Sequence, residues 1–171
     1  MKREPKHTLR KHVGDEKELS ETVLKWGPEL VEAGYTLFPS TLIKHHRALG
    51  LDTVDLAIVL LLASHWWTAE TLPFPSKKTI AGVVGIDASN VRKRIASLEK
   101  KGLIKRTMRK VTNDRNKSSL YDLSPLIIKA RPFALQEIEL KNAAKAARAA
   151  RPAAPAIKVE KKPHLKVVPK T

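Results

Sequence analysis

From Phe38 to Ile128 the apolar positions fall into short runs, each bounded by a cap or a breaker. The clearest lies in PSKKTIAGVVGIDASNVRKRIASLEKKGLI, residues 75–104, whose pattern predicts two short helices joined by a tight turn. The Ser76 hydroxyl is placed to cap the first helix and the Asp87 carboxylate the second. Gly85 lies between them, where the chain reversal wants a residue that tolerates positive φ. Ile80, Val83 and Val84 are expected to face inward from the first helix. On the second, Val91, Ile95 and Leu98 recur at i, i+4 and i+7 and give one buried stripe. Ser89, Asn90, Arg92, Lys93 and Ser97 are left on its outer faces.

The same reading organises the rest of the chain. Residues 1–17 are polar and are expected to be a flexible tail. Residues 18–37 read as a helical extension with apolar Leu19, Val23, Leu24 and Trp26, broken at Gly27-Pro28. Ser40 is expected to cap a helix running to Leu49, and Asp52 one running to about Trp67 that is apolar almost all round. A short strand is open to residues 72–74. Leu103 to Arg109 reads as a strand with Ile104 and Met108 on one face. Residues 110–118 read as a polar loop, and Ser119 to Leu123 as the returning strand. Ser124-Pro125 starts a helix whose Leu126, Ile127 and Ile128 are expected to pack on the core. Pro132 is expected to kink or restart it, giving a C-terminal helix over 132–150. From Arg151 the chain is rich in Pro, Ala and Lys, a basic tail expected to be disordered.

The run PS..TIA..VGID.SNVRKRIASLEKKGLI, followed by a basic strand, a polar loop and LYDLS, resembles bacterial winged helix-turn-helix proteins. That group includes transcription regulators and plasmid or phage replication initiators. The resemblance covers about Phe38 to Ile128, and LEKKGLIKR is its most specific part. It implies a mainly α fold with a small β-wing, a DNA-binding domain over 38–131, and a second helix that enters the major groove.

Charge strengthens this picture. The formal net charge is +16 and the isoelectric point about 10.2. Residues 1–48 carry +2, residues 49–131 carry +8 and residues 141–171 another +8, so the tail alone does not account for the excess. Such a balance favours polyanions. There are no cysteines, which excludes disulfides and thiolate metal sites and fits a reducing cytoplasm. The N-terminus has no apolar signal region, and the most apolar run, residues 55–67, is too short to span a bilayer. A cytoplasmic, nucleoid-associated protein is expected.

Arg92, Lys93 and Arg94 would read as a solvated surface in an average protein. Here they sit on the second helix of a capped pair, in a basic chain, which favours DNA contact. Ser89, Asn90 and Lys93 are the candidates for base edges, with Arg92 and Arg94 flanking them. Ser76, Lys77, Lys78 and Thr79 open the first helix, where free backbone N–H groups attract phosphate; an ordinary cap with exposed lysines fits them equally. Arg109, Lys110, Arg115, Asn116 and Lys117 are the wing candidates for the DNA backbone or minor groove. His45, His46 and His65 have no carboxylate or cysteine at ligand spacing, so no metal and no cofactor are expected. No phosphate-binding loop, dinucleotide fingerprint or nucleophile elbow occurs, and no enzyme activity is expected.

The expected function is sequence-specific double-stranded DNA binding, foremost for transcriptional regulation. A replication initiator or partition protein on origin repeats is the alternative, and a protein–protein adaptor the third. A homodimer is expected through the apolar segments at 19–38 or 126–140, with transcription or replication machinery as a further partner and no membrane.

Overall fold

A computed structural model describes residues 16–109 and 118–150, with side chains from residue 21 onward. They form two compact units divided after Phe133. The first contains α1 (Glu16–Trp26), α2 (Pro28–Ala33), α3 (Ser40–Lys44), α4 (Thr53–Ser64), α5 (Lys77–Val84), α6 (Ala88–Lys100), β1 (Lys105–Thr107) and β2 (Leu120–Asp122). A last helix, α7 (Ser124–Ala149), begins in this unit and supplies the described helical residues of the second.

The core of the first unit is built by α3, α4, α5, α6, the two strands' flanks and the start of α7. Ile58, Val59 and Leu62 of α4 meet Ile80 of α5 and Val91, Ile95 and Leu98 of α6, all fully buried. Leu103, Ile104, Tyr121 and Leu126 close it from the other side. Three residues four and three apart thus seat α6, as the stripe at 91, 95 and 98 requires.

Caps set the ends of α5 and α6. Ser76 Oγ accepts the Thr79 N–H at 3.0 Å, and Asp87 Oδ1 accepts the N–H groups of Ser89 and Asn90, both at 2.9 Å. Gly85 takes φ 77 and ψ 31, and its N–H and that of Ile86 both reach the Ala81 carbonyl. A left-handed residue there ends α5 and turns the chain into α6 at once. Gly102, at φ 62, likewise follows the end of α6 and turns the chain toward β1.

β1 and β2 pair antiparallel, with Lys105 opposite Asp122, Arg106 opposite Tyr121 and Thr107 opposite Leu120. No strand forms at 72–74. Pro73 and Pro75 lack N–H groups, so the contact reduces to one bond, from the Tyr121 N–H to the Pro73 carbonyl at 2.9 Å.

Several expectations are corrected. Val83 is 66% exposed, because a helix of eight residues turns Ile80, Ala81 and Val84 inward and Val83 out. Met108 is 71% exposed, since β1 ends at Thr107 and the alternation with Ile104 stops there. Leu126 is buried as expected, but Ile127 and Ile128 are exposed, and Ala130 is the other residue that α7 buries. The helix after Ser40 is a short one, ending at Lys44, with Pro39 rather than Ser40 at its cap position; turns carry the chain on to Gly50. The next helix ends at Ser64, three residues early. Pro132 does not end α7. The N–H it lacks would have bonded the carbonyl of Ile128, an exposed residue, so water can replace that bond. α1 starts at Glu16, inside the segment expected to be a tail. The remaining tail residues, the loop 110–117 and residues 151–171 lie outside the described residues.

Candidate nucleic-acid interface

The buried stripe of α6 decides what its opposite face presents. Ser89, Lys93, Ala96 and Lys100 recur at i, i+4, i+7 and i+11, and all four are exposed. Arg92 is exposed on one flank of this face, and Asn90 is half-buried on the other. Among the described residues no ion pair or hydrogen bond occupies the side chains of Arg92 or Lys93. Lys100 was missed by the sequence reading, although the period that places Lys93 outward also places Lys100 outward two turns on.

Arg94 stands apart from its two basic neighbours. Its guanidinium donates to the Asp52 carboxylate and, at 3.1 Å, to Oδ1 of Asp55. The Asp55 side chain is 2% exposed, and Lys101 at the end of α6 reaches its other oxygen at 3.4 Å. Lys101 also donates to the Gly50 carbonyl at 2.6 Å. Asp52 and Asp55 form a reciprocal capping box at the start of α4. The first turn of α4 therefore grips α6 at two points, and Arg94 serves that grip. Position 94 lies on the flank turned toward α4, so the Arg94 guanidinium is already engaged there, unlike that of Arg92.

The opening of α5 combines a structural and an exposed part. Ser76 and Thr79 are engaged with each other, their hydroxyls 2.8 Å apart, in addition to the cap bond. Lys77 is half-buried and Lys78 exposed. Arg109 is also engaged. Its Nε donates to the Ser118 carbonyl at 3.2 Å and a terminal nitrogen to Ser118 Oγ at 3.3 Å, while the guanidinium lies 4.4 Å over the Phe74 ring. It closes the base of the hairpin and ties it to the segment before α5. Lys110, Arg115, Asn116 and Lys117 lie outside the described residues.

The three described histidines, His45, His46 and His65, each meet a different partner. His65 Nδ1 lies 3.0 Å from the Leu61 carbonyl, His46 Nδ1 lies 2.7 Å from that of Ile43, and His45 stacks on Phe133 at 4.8 Å. Among the described residues no group of three His, Asp or Glu side chains is placed to hold a metal. None of the described helices is long and apolar enough to cross a membrane.

Residues 49–104 match the family described as a helix-turn-helix domain. This segment is a helix-turn-helix domain. With the hairpin β1–β2 behind it, the module is of the winged type, mainly helical with one two-stranded antiparallel sheet. The match spans about a third of the chain, from the turn before α4 to the end of the α6–β1 connection. No curated protein matches the chain. Among solved structures, it is similar to the N-terminal domain of DnaD protein from Geobacillus kaustophilus, with 20% identity over 75% of this chain and 98% of that one, TM-score 0.46. It is also similar to MepR of S. aureus, solved as a DNA complex, with 15% identity, 78% and 91% coverage and TM-score 0.41. A third is the multiple antibiotic-resistance repressor MarR from Listeria monocytogenes, with 13% identity, 82% and 86% coverage and TM-score 0.36.

Three carboxylates of the winged helix are held below their ordinary value of 3.8. For Asp52 the largest cause is the hydrogen bond from the Arg94 side chain, followed by the Asp55 amide. For Asp87 it is hydrogen bonding from the Ser89 side chain and then the Asn90 amide, and for Asp122 from the side chain and amide of Ser124. A depressed folded-state value means that the stabilisation is complete above the unfolded value. It is lost as pH falls through 3.8 toward the lower folded values. The urea midpoint is therefore expected to be nearly level above about pH 5 and to drop steeply below about pH 4. Asp52→Asn should lower the neutral-pH midpoint and make the acid fall shallower. An equally steep fall in that variant would remove Asp52 from the account.

Proposed function

We propose that this protein binds double-stranded DNA sequence-specifically, with α6 in the major groove, and regulates transcription. The observation that carries the reading is the sorting of cations on α6. Arg94 and Lys101 are held by carboxylates of α4 and its cap, whereas Arg92, Lys93 and Lys100 stand on or beside the face opposite the core with no acidic partner among the described residues. Lys93 suits a guanine edge, Ser89 either base type, and Arg92 a guanine edge or a phosphate. Lys78 and the wing residues Lys110, Arg115, Asn116 and Lys117 would hold phosphates on either side. Asn90, half-buried, would contact an adenine only at the edge of the groove. The protein acts by binding rather than catalysis, in the cytoplasm with the nucleoid.

The chain is proposed to act as a homodimer. The groove between α1 and α2, about 430 Å³, is lined by Trp26, Leu30, Val31, Tyr35 and Leu37. Leu24, Trp26, Leu30 and Leu37 are each more than 60% exposed. Helices of 11 and 6 residues are too short to be stable by themselves, and an exposed apolar patch of this kind is suited to a second copy.

Selection of bound sequences from a random duplex library at two salt concentrations tests the function. An enriched motif that persists at the higher salt is expected, with two-fold symmetry reporting the dimer. Binding without a motif, collapsing as salt rises, would overturn the sequence-specific reading. Occurrence of the motif as a single operator at a promoter supports the regulator. Tandem copies at an origin would replace it with a replication initiator.

A further inference from the structure

The end of α7 carries a second, differently built cluster of positive charge. Lys141, Lys145 and Arg148 recur at i, i+4 and i+7 and are exposed. At about 100° and 1.5 Å per residue, the three lie within roughly 60° of one another around the helix and span about 10 Å of its axis. None has an ion-pair partner among the described residues. Between Glu139 and Glu160 the sequence has no acidic residue at all. The rest of the surface around the stripe is Asn142 and alanine: Ala143, Ala144, Ala146, Ala147 and Ala149.

We infer that this stripe is a second nucleic-acid contact, which grips the phosphate backbone of duplex DNA without reading sequence. The inference rests on the DNA-binding reading above. Three cations in one line, spaced by a helical turn, suit a chain of regularly spaced phosphates. Alanines on either side leave nothing between the helix and the backbone it approaches. Two simpler roles fit less well. Cations in the last turn complement the helix dipole, which accounts for Arg148, but Lys141 lies two turns inside the helix where that field has faded. An acidic lipid surface would want large apolar side chains beside the cations, and after Leu140 this helix has none. The stripe also leads into residues 151–171, which carry six further Lys or Arg and one Glu, so positive charge continues along the sequence.

The test is the salt dependence of binding by the full chain with Lys141, Lys145 and Arg148 all replaced by alanine. Alanine keeps the helix, which circular dichroism would verify. The probe is a duplex holding the selected motif flanked on both sides by unrelated sequence. Each phosphate contact contributes about 0.9 to the slope of log K against log salt, so the slope is expected to fall by about 2.5 while the preferred motif stays the same. An unchanged slope overturns the inference. So does an unchanged slope accompanied by lost binding to vesicles of acidic phospholipid, which would reassign the stripe to a membrane. If the unsubstituted chain fails to bind the duplex, the DNA reading itself has failed; if it binds and the variant behaves identically, only this inference has.

Discussion

Replacing Ser89, Arg92 and Lys93 together by alanine is expected to lower affinity for the selected duplex by on the order of 10³-fold, since each good base contact contributes about 1–3 kcal/mol of discrimination. The fold should survive, because all three side chains are exposed and alanine favours the helix. The thermal midpoint is thus expected to stay within a few degrees. The loss should also be unequal: affinity for unrelated duplex should fall far less, because removing two cations lowers the salt slope by only about 2. The measurement is a titration of both duplexes with variant and unsubstituted chain. Equal losses on both would mean that α6 supplies phosphate contacts alone. No loss on either would remove α6 from the interface and favour a winged helix retained as a protein–protein adaptor.

The parts of this interface that were legible in the sequence are the ones set by local chemistry. Ser76 and Asp87 cap helices because their side-chain oxygens meet N–H groups two or three residues away, and such spacing is visible in one dimension. Gly85 was legible for the same reason, as was the stripe of Val91, Ile95 and Leu98 on a helix long enough to show its period. Periodicity failed where elements are short. Val83 in a helix of eight residues and Met108 past a strand of three have too few neighbours for the pattern to fix their side. Ile127 and Ile128 are apolar beside a buried Leu126, yet one helical turn has room for only part of such a run on the core.

Arg94 was illegible for a different reason. In the sequence it is the last of three consecutive basic residues, and its deciding partners lie 42 and 39 positions away. A helical projection separates it from Ser89 and Lys93 but does not reveal what it meets. The same holds for Phe74 and Arg109, whose contact depends on how the hairpin folds over the segment before α5. Chemical type is local information; which of several like charges is already taken is tertiary information.

That distinction yields the largest expected effect on stability. Arg94→Ala removes the closer of the two cations bonded to Asp55, a carboxylate 2% exposed, leaving only Lys101 at 3.4 Å. Breaking a buried pair from the side that strands the more deeply buried charge costs about 3 kcal/mol or more, which for a domain of this size corresponds to a fall in Tm on the order of 15 °C. The reciprocal change should be milder. Asp55→Ala leaves Arg94 with Asp52 and Lys101 with the Gly50 carbonyl, and both cationic side chains are already 27% and 40% exposed to water. Arg94→Met combined with Asp55→Leu should cost much less than the sum of the losses for Arg94→Met alone and Asp55→Leu alone, since no charge is then stranded. Urea titrations of the singles and the double form the cycle that measures this. Additive losses would mean that the two residues stabilise the domain independently and that α4 does not grip α6 through them. Below its own Tm, Arg94→Ala should keep the same salt slope on DNA, because its guanidinium faces α4; a slope lower by about 1 would return Arg94 to the phosphate contacts.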